Sequence, residues 1–203
     1  MDTPTTTAGN SQATTPGRSR ARTLAVMAIT AVVIVAVTFF VNQPKASAEG
    51  ITSVNLSGEA TGAAPTVGQP APDFQATTVD GKTVRLSDFK GKPVWLTFGA
   101  SWCQPCRAEN PDIKAVYEKA KASGLEVLAV FISEDASAVR EYADRVGLSY
   151  AKVADPDTTI ASQYRILGIP SHFFIDRSGV LQQIKIGSLD QAGMEQALEG
   201  IRQ

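Results

Sequence analysis

The only two cysteines of the 203-residue chain stand together in Trp102-Cys103-Gln104-Pro105-Cys106. Cysteines at this spacing serve few purposes. The loop they close is so short that a disulfide across it removes little entropy from the unfolded chain, which makes it a poor structural staple. A structural zinc site needs four ligands, and the chain offers besides these two only the single His172; no metal ligand set is assigned. The chemistry that fits is that of a redox dithiol cycling between two thiols and a disulfide.

The elements around the pair must position it. Val94-Trp95-Leu96-Thr97-Phe98, bounded by Pro93 and Gly99, is a short apolar run with the composition of a buried strand. Arg107 to Ala122 has helical composition, and Pro105 stands at an early position where a missing N–H costs nothing. The dithiol is thus predicted at a strand-to-helix turn. Unpaired amides and the helix macrodipole stabilise an anion there, so Cys103 is expected to ionise readily and act as nucleophile. Cys106, one turn inside the helix, is expected to be the shielded resolving thiol.

Three ordered blocks carry a resemblance. They are Val67-Gly68-Gln69-Pro70-Ala71-Pro72-Asp73-Phe74, the stretch from Leu86-Ser87-Asp88-Phe89 through Cys106-Arg107-Ala108-Glu109-Asn110-Pro111, and Gly168-Ile169-Pro170-Ser171-His172-Phe173-Phe174-Ile175-Asp176. Together they resemble the membrane-anchored TlpA/ResA-like branch of the thioredoxin superfamily, over residues 67–203. The resemblance implies a cis Pro170 lying against the disulfide, with the backbone of Ile169 free to pair with a substrate strand. It implies that Trp102 forms part of the substrate-facing surface and that Gln104 and Pro105 help set the potential, proline there resembling reducing members. Pro111 resembles the proline that kinks the active-site helix. Gly99 departs from the family, where a large aromatic is common.

Glu109 lies three residues beyond Cys106, on the same side of a helix. Burial favours the neutral form of a carboxylic acid, so a carboxylate there could take the proton of the Cys106 thiol; the alternative is an exposed acid that complements the helix dipole. Thr97 stands where thioredoxins carry a buried aspartate, which leaves Glu109 as the available acid. His172, two residues after Pro170, is either near the disulfide or a structural residue of a strand.

The N-terminal part has a different character. Residues 1–17 are rich in Thr, Ser, Pro and Gly and predict a flexible tail. Arg18, Arg20 and Arg22 complete a basic flank over residues 1–22, followed by an uncharged apolar run over 23–41. As a helix that run would be about 28 Å long, close to the hydrocarbon core of about 30 Å. Its arginines place the N-terminus in the cytoplasm and the remainder outside. The run is either a retained signal-anchor or the core of a signal peptide cleaved at Ala46-Ser47-Ala48. Residues 42–66, small and polar with two prolines, predict a flexible linker. Lys plus Arg number 19 against 20 Asp plus Glu, and no basic patch points to nucleic acid.

Within residues 67–203, Phe74–Val79 and Lys82–Leu86 flank Asp80-Gly81, a hairpin signal. Leu125–Ile132 predicts a strand, Ala136–Val146 a helix stopped at Gly147, Tyr150–Val153 a strand, and Asp157–Tyr164 a short helix with Asp157 near its start. Phe173–Ile175 and Val180–Ile186 predict a hairpin, and Asp190–Ile201 a closing helix. The order indicates an α/β, thioredoxin-like fold: a mixed sheet flanked by helices, an N-terminal β-hairpin, an insertion between Ile132 and Gly168, and one preceding transmembrane or signal helix.

The function expected is that of an extracytoplasmic thiol-disulfide oxidoreductase without a cofactor beyond its own dithiol. The resemblance implies a reductase of exported protein disulfides, with apocytochrome c as client and a CcdA-like membrane protein as electron donor. Alternatives are a disulfide oxidase or isomerase, a peroxiredoxin-like antioxidant, and a haem- or metal-binding chaperone module. Against the peroxiredoxin stands Ala100 where a Thr-x-x-Cys site requires threonine.

Overall fold

The computed structural model describes residues 18–41 and 50–202, in two compact units, Met1–Ala46 and Ser47–Gln203. The expected tail over 1–17 and the Ala46-Ser47-Ala48 site lie outside the described residues. The first unit is helix α1, Arg18–Val41. Leu24, Val26, Met27, Ile29 and Val32–Val35 are exposed along it, and the Thr30 hydroxyl folds back onto Val26 O at 2.8 Å, the usual way a helix absorbs such a side chain. Among the described residues no helix is long and apolar enough to cross a membrane, so the expected span over 23–41 is not shown.

The second unit is built on a five-stranded sheet in the order β6-β5-β4-β8-β9, formed by β4 (Val94–Gly99), β5 (Glu126–Ile132), β6 (Ala151–Asp155), β8 (Ser171–Ile175) and β9 (Leu181–Ile186). β4, β5 and β6 are parallel, and β8 and β9 run antiparallel to β4 and to each other. β4 and β5 are almost wholly buried and, apart from Thr97 and Glu126, apolar, because the sheet is covered on both faces. Trp95, Val127, Phe131 and Phe174 look to one side, where α2 (Gln104–Ala120), α3 (Ala136–Val146) and α5 (Gln191–Glu199) supply Ile113, Val139, Met194 and Leu198. Leu96, Phe98, Val130 and Phe173 look to the other, packed on Tyr164, just beyond α4 (Thr159–Gln163), and on Phe74 and Leu86. Each such side chain fully buried contributes about 1.5–3 kcal/mol.

The predicted hairpin is present as β2 (Gln75–Thr77) and β3 (Thr83–Arg85), with Gly81 left-handed at φ 82°. Helix α3 has the predicted bounds, capped by Asp135 and stopped by Gly147 at φ 68°. For α4 the expectation is corrected. Asp157 does not cap it; Asp155 reaches over from the end of β6 and accepts the Ile160 and Ala161 amides at 3.2 and 2.9 Å.

Of the expected linker over 42–66, residues 42–49 lie outside the described residues and the rest differs from the expectation. From Gly50 the chain is laid down on the domain. Strand β1 (Thr52–Ser53) pairs antiparallel with β7 (Gly168–Ile169). Thr52, Val54, Leu56 and Gly58 are half-buried while the residues between them are exposed, the alternation of an edge strand. Thr158 Oγ1 accepts the Ser57 and Gly58 amides at 2.8 and 3.0 Å, and a Cβ on Gly58 would come 2.7 Å from Thr158 O. The period is hard to see in sequence because two of its four inward positions are Thr and Gly.

Candidate active site

Strand β4 ends at Gly99, and after a turn Cys103 becomes the N-cap of α2, which starts at Gln104 rather than Arg107 and so takes Pro105 into its first turn. Cys103 Sγ accepts the Cys106 N–H at 3.2 Å, the place a capping oxygen usually fills. The two sulfurs are joined, 2.08 Å apart, and the cysteines are 1% and 3% exposed. When the bond is reduced, the same amide and the helix terminus favour a thiolate on Cys103. A methyl group at Gly99 would rest 3.6 Å from Cys106 Sγ, so glycine leaves ordinary contact space beside the resolving sulfur. Trp102 is 48% exposed next to the pair, and Gln104 is exposed with Pro105 half-buried. Pro111 lies inside α2.

Strand alternation builds the layer behind Cys106. Trp95 and Thr97 share a face of β4, and the antiparallel register places His172 opposite Thr97 and Phe174 opposite Trp95. Helix α2 covers this face, and Glu109, one turn after Cys106, comes down on it, 4% exposed. Its Oε2 accepts the Leu189 N–H at 3.2 Å and stands 3.5 Å from His172 Nε2. His172 is fully buried. Its Nδ1 meets the Thr97 hydroxyl at 3.0 Å and accepts the Trp95 indole N–H at 3.3 Å. An indole nitrogen only donates, so Nδ1 of the neutral ring is the acceptor and the proton sits on Nε2, an assignment from the hydrogen-bond network. Nε2 has no hydrogen-bond partner; the nearby acid is Glu109, 3.5 Å away. The carboxylate also borders a cavity of about 360 Å³ shared with Gln104 and Pro105. Behind it, Tyr150 donates to Asn110 Oδ1 at 3.3 Å. Burial, with repulsion from Tyr142 and Glu109, drives the Tyr150 hydroxyl far above its ordinary range, so it stays neutral.

The Ile169–Pro170 peptide is cis, and both residues are buried. The backbone of Ile169 is not free, as the resemblance implied. Thr52 of β1 pairs with it.

Two contributors were missed or undervalued in the sequence. Ser101 is gripped through its N–H, at 2.7 Å, and its hydroxyl by the Glu134 carboxylate, which anchors the turn leading into Trp102 and Cys103; Glu134 follows Ser133, itself left-handed at φ 56°. His172, which the sequence left as either near the disulfide or a structural residue of a strand, stands 3.5 Å from the Glu109 carboxylate. Among the described residues no group of three or more His, Cys, Asp or Glu is arranged to hold a metal ion.

Comparisons with known proteins agree with this geometry. Residues 67–184 match the AhpC/TSA family. The chain is 38% identical over 136 residues to the thiol-disulfide oxidoreductase ResA of Geobacillus kaustophilus, covering 67% of this chain and 78% of that protein. It is likewise 38% identical to the thioredoxin-like protein YneN of Bacillus subtilis, covering 65% and 78%. The crystal structure of a thiol:disulfide interchange protein of the thioredoxin family from Chlorobium tepidum superposes with a TM-score of 0.61 at 29% identity, covering 70% of this chain and all of that one. With a C-x-x-C disulfide capping a helix and a cis Ile169–Pro170 peptide, the chain belongs to the AhpC/TSA family and is a thioredoxin-fold thiol-disulfide oxidoreductase related to ResA and YneN.

Proposed function

We propose that the chain works as a reductase of disulfides in exported proteins. The observation that carries the chemistry is the Cys103 sulfur at the N-terminus of α2, bonded by the Cys106 amide. In the reduced form the Cys103 thiolate attacks a client disulfide. One client sulfur leaves as thiolate and the other is held in a mixed disulfide with Cys103. Cys106 then gives up its proton and attacks Cys103 Sγ, which releases the second client thiolate and closes the Cys103–Cys106 bond. Two electrons have passed to the client, and an external dithiol donor must return them.

Glu109 is the group proposed to take the Cys106 proton. It lies one turn from that thiol, and its cavity beside Gln104 and Pro105 gives the proton a way out. His172, with Nε2 3.5 Å from Oε2, is the proposed positioning residue for the carboxylate. Trp102, exposed beside the sulfurs, and the cis Ile169–Pro170 turn form the surface against which a client lies.

Export is inferred from Arg18, Arg20 and Arg22 ahead of the uncharged run 23–41, which supports a single-pass anchor with the dithiol outside the cytoplasm. In that setting disulfides persist and a reductase has clients. Apocytochrome c, with its paired cysteines, is the client class proposed, and a CcdA-like membrane protein the electron donor.

Titration of the full chain against a defined dithiol buffer tests the direction of electron flow. A potential near thioredoxin's, about −270 mV, supports the reductase; one near that of DsbA, about −120 mV, makes the protein an oxidant and rejects it.

A further inference from the structure

Residues 50–58 run across the face that a client must approach. Gly50 borders the same cavity as Gln104, Pro105 and Glu109. The chain then pairs Thr52 with Ile169 and Ser53 with Gly168 in antiparallel register, and the Val54 N–H donates to Leu167 O at 3.2 Å. The edge that precedes the cis peptide is taken by the protein itself. Ile51 is fitted to that edge. Its Cγ2 lies 2.5 Å from where a Cβ on residue 168 would stand, so the bare backbone of Gly168 is what admits it. The same side chain lines a cavity of about 310 Å³ with Tyr164, Leu167, Ile184 and Ile186. Leu167 and Ile186 are 82% and 62% exposed there, an apolar rim larger than β1 covers.

Resting on the reading that a client strand lies against Ile169, we infer that residues 51–54 occupy the client's place and are displaced by it. The partner is an extended polypeptide segment that pairs antiparallel with Gly168–Ile169 and carries an aliphatic side chain where Ile51 now sits. Recognition is by strand addition, with the chain's own strand as the competitor. A two-residue pairing is short enough to open. A site that is open for only a fraction of the time shows an affinity reduced by that fraction, so the strand sets a threshold. Segments that match the register and fill the slot displace it, and others do not.

The test uses the full chain in its dithiol form and two variants. Val54→Pro removes the amide that bonds Leu167, and Ile51→Gly empties the slot at an exposed position that the core does not need. Three probes are reduced in parallel: a disulfide-bonded extended peptide with isoleucine at the matching position, the same peptide N-methylated at the residue that pairs with Ile169, and a small aryl disulfide that forms no strand. The ratio of kcat/KM for the unmodified peptide to that for the aryl disulfide is expected to rise about tenfold in both variants, the change for a strand closed about nine-tenths of the time. An unchanged ratio in both variants, with the methylated peptide reacting poorly throughout, overturns the displacement while leaving the client edge in place. Equal reaction of methylated and unmodified peptides overturns both, because the client then does not use Ile169.

Discussion

Glu109 and Asp155 are carboxylates of similar burial, 4% and 3% exposed, held by different kinds of partner. Asp155 gives one oxygen to the Ile160 amide and the other to the Ala161 amide, and its own carbonyl accepts the Ser133 and Thr158 amides. Burial pushes its carboxyl above the ordinary range, while the Ala161, Ile160 and Thr159 amides pull the other way. Glu109 instead accepts one amide from Leu189, faces a histidine nitrogen that has no other partner, and borders a cavity. Backbone amides cannot exchange protons at useful rates, whereas an imidazole can, and so can solvent entering a cavity of about 360 Å³. A buried carboxylate held by amides fixes a loop; one beside an imidazole and a cavity has the setting that the proposed proton transfer needs.

The widest separation between the two is expected in stability. Asp155→Ala strands two buried α4 amides and should cost about 2–4 kcal/mol, read as a lower urea midpoint, with the resolution rate of the folded fraction unchanged. Glu109→Gln should move stability far less but slow closure of the Cys103–Cys106 bond by about ten- to a hundredfold, and flatten the pH dependence of that step in single-turnover kinetics. If Glu109→Gln proved as destabilising as Asp155→Ala and left resolution untouched, the contrast would collapse into two structural acids.

His172→Gln tests whether the ring matters to the carboxylate. It should slow resolution about three- to tenfold and shift the midpoint of its pH profile, a displacement that loosened packing alone would not produce. The smallest effect concerns acid stability. The folded-state pKa of Asp155 lies above its unfolded value, so the folded form holds the proton more tightly. That contribution is complete below the unfolded pKa of about 3.9 and is lost as pH rises through the folded one. Asp155→Asn should remove this decline from a plot of unfolding free energy against pH. Asp176 works in the opposite sense: burial opposes its ionisation, but bonds from Ser178, Val180 and Gln182 outweigh it and hold the carboxyl below its ordinary range. Its contribution is present above the unfolded pKa and fades as pH falls through the folded one, and Asp176→Asn should remove that fade.

What could be read from the sequence was what local pattern dictates. The dithiol turn, the buried β4, the Asp80-Gly81 hairpin and the bounds of α3 each follow from residues within a few positions of one another. The parts that escaped depend on partners far along the chain. Glu134 and Ser101 meet because β5 lies beside β4. His172 gains its meaning from Glu109 only when register and helix placement bring a strand and α2 together. Asp155 displaces Asp157 as the partner of the α4 amides because the end of β6 delivers it there, which no capping rule anticipates. Residues 50–58 looked like spacer since their inward positions include Thr52 and Gly58, whose attachments are a strand edge and a threonine hydroxyl rather than a hydrophobic stripe.

The contact between Ile51 Cγ2 and the bare backbone of Gly168 also has a consequence for how related chains vary. The two positions are remote in sequence yet compete for one volume. Among homologues that keep the N-terminal strand they should change together, a bulkier residue at 168 accompanying a smaller one at 51. In homologues that lack the strand, position 168 is released from that constraint and should accept side chains freely.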